Sequence, residues 1–422
     1  MSTSETHRAI EAVWRIESAR LVAGLARIVR DVGIAEELAQ DALVVALEKW
    51  PESGIPDNPG AWLMATAKHR ALDHFRRNKL LERKHEELGR ELKSQQESAL
   101  ANFEIPENGE IEDDLLRLVF ISCHPILSTD ARVALTLRLL GGLTTAEIAR
   151  AYLLPEPTIA QRIVRAKRTL SEAHVPFEVP AESERAARLS SVIEVIYLIF
   201  NEGYTATAGS DWMRPALCSD AVRLGRMLAE LTPNDAEVHG LVALMEIQSS
   251  RFGARTTPSG EPILLLDQNR ALWDQLLIRR GLAALARAQQ LGAAGPYVLQ
   301  AAIAACHARA RTAKETDWAQ IAELYSQLAA LLPSPIVQLN RAVAVSMAHG
   351  PAAGLAMVDA LSAGPALKNY HLLPAVRGDF LAKLGRFEEA RDEFARGATL
   401  TQNVREREFL LDRARKADSG QA

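Results

Sequence analysis

The chain has 422 residues, a formal net charge of −4, and 48% hydrophobic but only 5% aromatic residues. That length exceeds one ordinary domain and points to about two to four, and an Ala- and Leu-rich, aromatic-poor composition favours helix packed on helix. A charge so near neutral excludes a uniformly basic nucleic-acid binder, so any DNA-binding surface must be local.

Residues 7–50 read as two helices. In the second, Ile34, Leu38, Ala42, Val45 and Ala46 recur at three- and four-residue spacing and form one apolar stripe. Trp50-Pro51 is expected to end it, because the residue before proline avoids the helical region. After the turn-rich SGIPDNPG, a third helix is expected from about Ala61 to about Arg83. It carries Trp62, Leu63, Ala67, Leu72 and Phe75, and a nearly one-sided set of cations: Lys68, Arg70, Arg76, Arg77, Lys79, Arg83 and Lys84. Only Asp73 and Glu82 oppose them.

Residues 86–114 change character. Acidic side chains from Glu86 to Asp114 dominate, and Pro106, Asn108 and Gly109 break the periodicity. The segment reads as a linker, helical first and irregular later. Residues 115–174 follow as a compact helical unit ending in a helix-turn-helix. Thr144 or Thr145 can cap its first helix, with Glu147 close behind. The turn is Leu153-Leu154-Pro155-Glu156, and Pro157 suits the first turn of the second helix. Ile159, Ile163, Ala166 and Leu170 give that helix its buried stripe, while Thr158, Gln161, Arg162, Arg165 and Arg168 lie off it.

HVPFEVPAESE, residues 174–184, is a second break, and everything beyond it reads as helical and repetitive. The clearest unit runs from Gly378 to Leu400. Its Gly378, Leu381, Gly385, Phe387, Ala390, Phe394 and Ala398 resemble the small and aromatic positions of a tetratricopeptide helix pair. Gly350 and Gly385 are spaced at about one 34-residue period, and Pro233 and Pro333 at about three.

Cys123, Cys218 and Cys306 are far apart and make no C-x-x-C pair, so neither a disulfide framework nor a zinc site is expected. They read as small core residues in a reducing cytoplasm. His124 lacks neighbours at ligand spacing and reads as structural or capping. The polar group Asp267, Asn269, Trp273 and Asp274, and Glu202 in NEGY, show no nucleophile, base and orienter, so no enzyme is expected. The run Val192–Phe200 is too short for a bilayer and contains Glu194, so no membrane partner is expected.

Three segments in order resemble the extracytoplasmic-function sigma factors of RNA polymerase over residues 10–172. Residues 35–50 are similar to the family's regions 2.1–2.2. Residues 59–77 are similar to regions 2.3–2.4, with Trp62, Leu63, Asp73, Arg76 and Arg77 matching and His69 standing where the family usually has asparagine. The helix-turn-helix is similar to region 4.2, with Glu147-Ile148-Ala149, Thr158, Arg162, Arg165-Ala166 and Leu170 matching. The long extension, including 192–207 and 265–274, resembles that of a subgroup with tetratricopeptide-like repeats.

The resemblance implies an all-α protein: sigma region 2 over 1–85, an acidic linker over 86–114, sigma region 4 over 115–175, a short linker over 176–190, and an α-solenoid of helix pairs over 191–422. It implies core RNA polymerase and promoter DNA as partners, and no cofactor or metal. Glu36, Glu37, Gln40 and Asp41 are expected to dock on the polymerase. Trp62, Lys68, His69, Arg70, Asp73, Arg76, Arg77 and Lys79 are expected at the −10 element, the cations displacing counterions from phosphates. Trp62, His74 and Phe75 can stack on unpaired bases, although Trp62 and Phe75 also read as core. Thr158, Gln161, Arg162, Arg165 and Arg168 are expected at the −35 element, in the major groove. The acidic linker is expected to thread the polymerase's cationic channel. Stacked helix pairs offer a concave surface for a protein or peptide partner that regulates the factor. The competing expectation is a helix-turn-helix regulator that binds DNA without polymerase.

Overall fold

The computed structural model describes residues 3–82, 108–152, 154–205, 213–257, 261–292 and 294–418. Among them there is no strand, only an isolated bridge between Thr256 and Pro262. The chain divides into two compact units, Met1–Leu198 and Ile199–Ala422.

The first unit opens with α1 (Thr3–Val29), α2 (Val32–Ser53) and α3 (Pro59–Glu82). Asp31 caps α2 by accepting from the Ile34 N–H at 2.9 Å. The stripe Leu38, Ala42, Val45 and Ala46 is buried as its spacing predicts, while Ile34 is half-buried. Pro51 does not end α2. The helix runs to Ser53 and stops at Gly54, whose N–H bonds the Trp50 carbonyl at 3.0 Å and whose φ of 84° turns the chain out of the helix. A proline in the last turn interrupts the hydrogen-bond ladder only where it is about to finish, so the ring rides along. Trp50, 1% exposed, fixes that end of the helix in the core. Asn58 caps α3 through the Ala61 N–H at 3.0 Å.

Most of the acidic linker, from Glu86 to Glu107, lies outside the described residues, as do Arg83 and Lys84. Its last residues are not irregular: α4 (Asn108–Ser122) begins at Asn108. The break expected from Asn108 and Gly109 is tolerated because they fall in the first turn, where N–H groups have no helical partner anyway. Asp114, counted with the linker's solvated acids, is 1% exposed. Then come α5 (Thr129–Leu139), α6 (Thr145–Tyr152) and α7 (Glu156–Glu172).

The expected linker over 176–190 also needs correction. A single helix, α8 (Glu182–Tyr204), runs across the boundary set at residue 191. Its early turns are fastened to the helix-turn-helix unit. Arg188 donates to the Phe120 carbonyl at 3.0 Å, and Ser191 to the Cys123 carbonyl at 3.1 Å. Arg132 donates to the Ser191 hydroxyl and faces Glu194 at 3.7 Å. Residues 182–187 of that helix are exposed, and Arg188 begins its contact with the unit.

The second unit continues with α9 (Pro215–Leu231), α10 (Ala236–Ser249), α11 (Gln275–Leu291), α12 (Pro296–Arg309), α13 (Trp318–Leu331), α14 (Pro335–His349), α15 (Pro351–Ser362), α16 (Leu372–Lys383), α17 (Phe387–Leu400) and α18 (Val404–Asp418). Sequential helices pack as neighbours, as in a solenoid. Pro233 and Pro333 sit in the turns before α10 and α14. In the pair α16–α17, Leu381, Ala390, Phe394 and Ala398 are buried. A Cβ on Gly378 would stand 2.9 Å from the Phe394 ring, so the small residue sets how closely these two helices approach. All three cysteines are buried and free. Burial pushes the Cys123 thiol up to about 11 and Cys218 up to about 12, which makes them inert core groups.

Candidate nucleic-acid interface

The helix-turn-helix is built by three local devices. Thr144 is the cap of α6. Its hydroxyl accepts from the Glu147 N–H at 3.1 Å, and the Glu147 carboxylate accepts from the Thr144 N–H at 2.7 Å, a reciprocal capping box. Pro155 stands as N-cap of α7 with no side-chain bond, and Pro157 occupies the first turn. Ile148, Ala149, Ile159, Ile163, Ala166 and Leu170 are all buried. Burying that stripe turns the opposite face of α7 outward.

On that face Gln161, Arg165 and Arg168 are exposed. Arg168 is paired with Glu172 at 2.6 Å, one turn on, an exposed pair that yields easily to a phosphate. Arg162 is half-buried and faces Asp130 of α5 at 3.0 Å. Thr158 is half-buried near the helix N-terminus, with its N–H turned onto the Pro155 carbonyl at 2.9 Å. Thus Gln161 and Arg165 face outward, whereas Arg168 must leave Glu172 and Arg162 must leave Asp130 to meet a partner.

In α3, Trp62 is half-buried and stands edge-on to Trp50, with ring centroids 5.2 Å apart. His69 and Arg70 are exposed, Asp73 is exposed and Lys68 half-buried. The His69 Nδ1 bonds the Ala65 carbonyl at 2.8 Å. The helix backbone continues through Arg76, Arg77 and Lys79, but their side chains, with those of His74 and Phe75, lie outside what is described.

In α2, Glu37 and Asp41 are exposed and Gln40 is half-buried, donating to Glu36. Glu36 itself corrects its expected polymerase-facing role. It is 4% exposed and locked between two cations of the helix-turn-helix unit: Arg138 of α5, at 2.5 Å, and Lys167 of α7. A reciprocal contact lies nearby, where the buried Asp114 of α4 meets Arg27 of α1 at 3.3 Å and Arg117 at 2.5 Å. The N-terminal helices and the helix-turn-helix unit are therefore joined by a seam in which Glu36 sits between Arg138 and Lys167 and Asp114 meets Arg27. A cleft of about 740 Å³ opens beside it, with Arg27, Arg30, Arg117 and Lys167 on its walls. None of Arg27, Arg138 and Lys167 was among the residues that sequence reasoning selected.

His124 meets its expected role: its Nδ1 accepts from the Ile126 N–H at 3.2 Å. Among the described residues no group of His, Cys, Asp or Glu is placed to hold a metal ion, and no helix is long and apolar enough to cross a membrane.

A helix-turn-helix whose second helix turns Gln161, Arg165 and Arg168 outward, following a three-helix segment, is the arrangement of a DNA-binding transcription factor. Residues 16–80 match Sigma-70 region 2, residues 117–170 match Sigma-70 region 4, and residues 188–289 match a family of unknown function, DUF6596. The chain is 42% identical over 387 residues to uncharacterized protein R00370 of Rhizobium meliloti, covering 92% of this chain and 90% of that one. It is 26% identical over 179 residues to the probable ECF RNA polymerase sigma factor SigI of Mycobacterium tuberculosis, covering 42% of this chain and 60% of SigI. No solved structure matches. The chain belongs to the extracytoplasmic-function sigma factors, in a subgroup with an all-helical C-terminal extension, and to the same family as R00370. These are DNA-binding transcription factor families, whose partners are core RNA polymerase and promoter DNA.

Proposed function

We propose that the chain directs core RNA polymerase to promoters by reading a −10 element with α3 and a −35 element with α7, and promotes local melting. The observation that carries this is the division of α7. One face is wholly buried by Ile159, Ile163, Ala166 and Leu170, and the other presents Gln161, Arg165 and Arg168 outward. An α-helix so presented fits the major groove, where Arg and Gln pair with base edges. Glu37, Gln40 and Asp41 form the contact to polymerase, and Lys68, His69, Arg70, Asp73, Arg76, Arg77 and Lys79 contact the −10 strand, with Trp62 positioned to stack at the melted junction.

Promoter elements about two helical turns apart lie roughly 70 Å from each other. The seam through Glu36 and Asp114 holds the two DNA-reading modules far closer than that. Opening the seam is therefore part of promoter engagement, and the acidic segment between them allows it, since the residues from 83 to 107 span at most about 90 Å. The extension regulates this step through a protein or peptide partner.

Transcription from purified core polymerase tests the proposal. Addition of the chain should produce specific transcripts, and Arg165→Ala should reduce them at −35-dependent promoters. Truncation after Tyr204, which keeps all of α8, should change output or its control. Tight operator binding by the free chain without polymerase would favour a stand-alone regulator.

A further inference from the structure

The second unit contains a knot of cations in which Glu315 acts on Arg270 from beyond ion-pairing distance. Arg251 and Arg270 both approach the indole of Trp273, their guanidinium carbons 5.8 and 4.9 Å from its centroid. Trp273 is 3% exposed and His307 8% exposed. Among the described residues neither Arg251 nor Arg270 forms an ion pair with a carboxylate. Arg270 is anchored instead by neutral oxygens, donating to the His307 carbonyl at 2.6 Å, the Ala310 carbonyl at 2.7 Å and the Thr316 hydroxyl at 3.0 Å. Arg251 donates to the Tyr204 hydroxyl.

Four nitrogens here are buried with no hydrogen-bond partner: Nε of Arg251, Nε of Arg270, Nε1 of Trp273 and Nδ1 of His307. Buried donors left unpaired are rare, and each calls for an explanation such as an ion that completes the site. Burial, and then the charges of Arg251 and Arg270, hold the His307 imidazole down to about 4. Burial and the neighbouring Arg251 also lower Arg270. Two half-buried guanidinium charges with spare N–H donors are the chemistry that recognises a dianionic phosphoryl group.

We propose that Arg251, Arg270, Trp273 and His307 form a site for a small phosphoryl-bearing anion in the C-terminal extension, apart from the DNA-reading helices. The donors are covered, so admission requires a local movement. The short turn Arg270–Leu272 is the element suited to it, because it brings Arg270 into the cluster while Ala271 and Leu272 remain exposed. Binding neutralises the two guanidinium charges and fixes that turn against α10 and α12.

Titration calorimetry of the full chain at constant ionic strength tests this, with inorganic phosphate and adenosine monophosphate as separate probes. One saturable site is expected for at least one of them. Tighter binding of free phosphate assigns the ion, and tighter binding of the monophosphate ester assigns a phosphorylated metabolite. Trp273→Phe removes one donor and keeps a ring in place, and Arg251→Gln removes one charge. Each should weaken binding at least tenfold. If Arg251→Gln folds poorly, Trp273→Phe alone carries the comparison. The proposal is overturned if neither probe binds saturably, if both variants bind as the parent does, or if only an acidic peptide binds.

Discussion

Replacing Glu36 with glutamine should release the helix-turn-helix from the N-terminal helices. Glutamine keeps the shape and removes the charge, leaving Arg138 and Lys167 facing each other with no carboxylate between them. Removing one partner of a buried ion pair costs about 3–5 kcal/mol, because the remaining charge stays desolvated. The side chains of Arg138 and Lys167 are each 19% exposed, so water recovers part of that penalty. The expected cost is therefore near the lower end, about 3 kcal/mol, or roughly a hundredfold shift from docked to open. Dyes placed on exposed positions of α3 and α7 should report a longer distance in Glu36→Gln than in the parent. Combining it with Lys167→Met should cost less than the sum of the two single changes, since they break one interaction. Unchanged dye separation with an unchanged unfolding midpoint would refute the assignment of the seam as a latch.

Other perturbations follow from the same geometry. The buried His307, held near 4 when folded against an ordinary value of 6.5, binds its proton more readily unfolded, so its contribution is intact above pH 6.5 and lost as pH falls toward 4. Acid unfolding monitored from pH 7 to 4 should lose about 3 kcal/mol to this group, and His307→Gln should flatten that slope. Gly378→Ala forces a Cβ to within 2.9 Å of the Phe394 ring and should destabilise the extension by about 1–3 kcal/mol in denaturant melts. Thr144→Ala removes the capping hydroxyl of α6 and should cost about 1 kcal/mol in thermal unfolding. Arg165→Ala, tested in the polymerase complex, should weaken binding by about 1–3 kcal/mol and relax preference at one −35 base.

Local chemistry was readable from the sequence, and distant pairing was not. The buried face of α7 followed from Ile159, Ile163, Ala166 and Leu170 because helical period and burial are the same information. The cap at Thr144 followed from Glu147 three residues on, with only the choice between Thr144 and Thr145 left to the structure. Pro51 misled because a proline's cost depends on how much helix follows it, which here is a single turn. Glu36 looked like its neighbours Glu37 and Asp41, and nothing local marks it as the one that faces inward. Its partner Arg138 lies 102 residues away, beyond the reach of any spacing rule. Asp114 was lost among solvated acids for the same reason. In the extension, Trp273 and Asp274 stood out as polar and aromatic, but Arg251 and His307 join them only when α10, α12 and the turn Arg270–Leu272 come together.

Association with core RNA polymerase is the most direct measurement of the central claim. Purified chain mixed with purified core should form a stable complex that yields transcripts from specific start sites, and exchanging Glu37 and Asp41 for lysine should abolish the complex while leaving the fold intact. A chain that neither binds core polymerase nor alters its choice of start site would contradict the account.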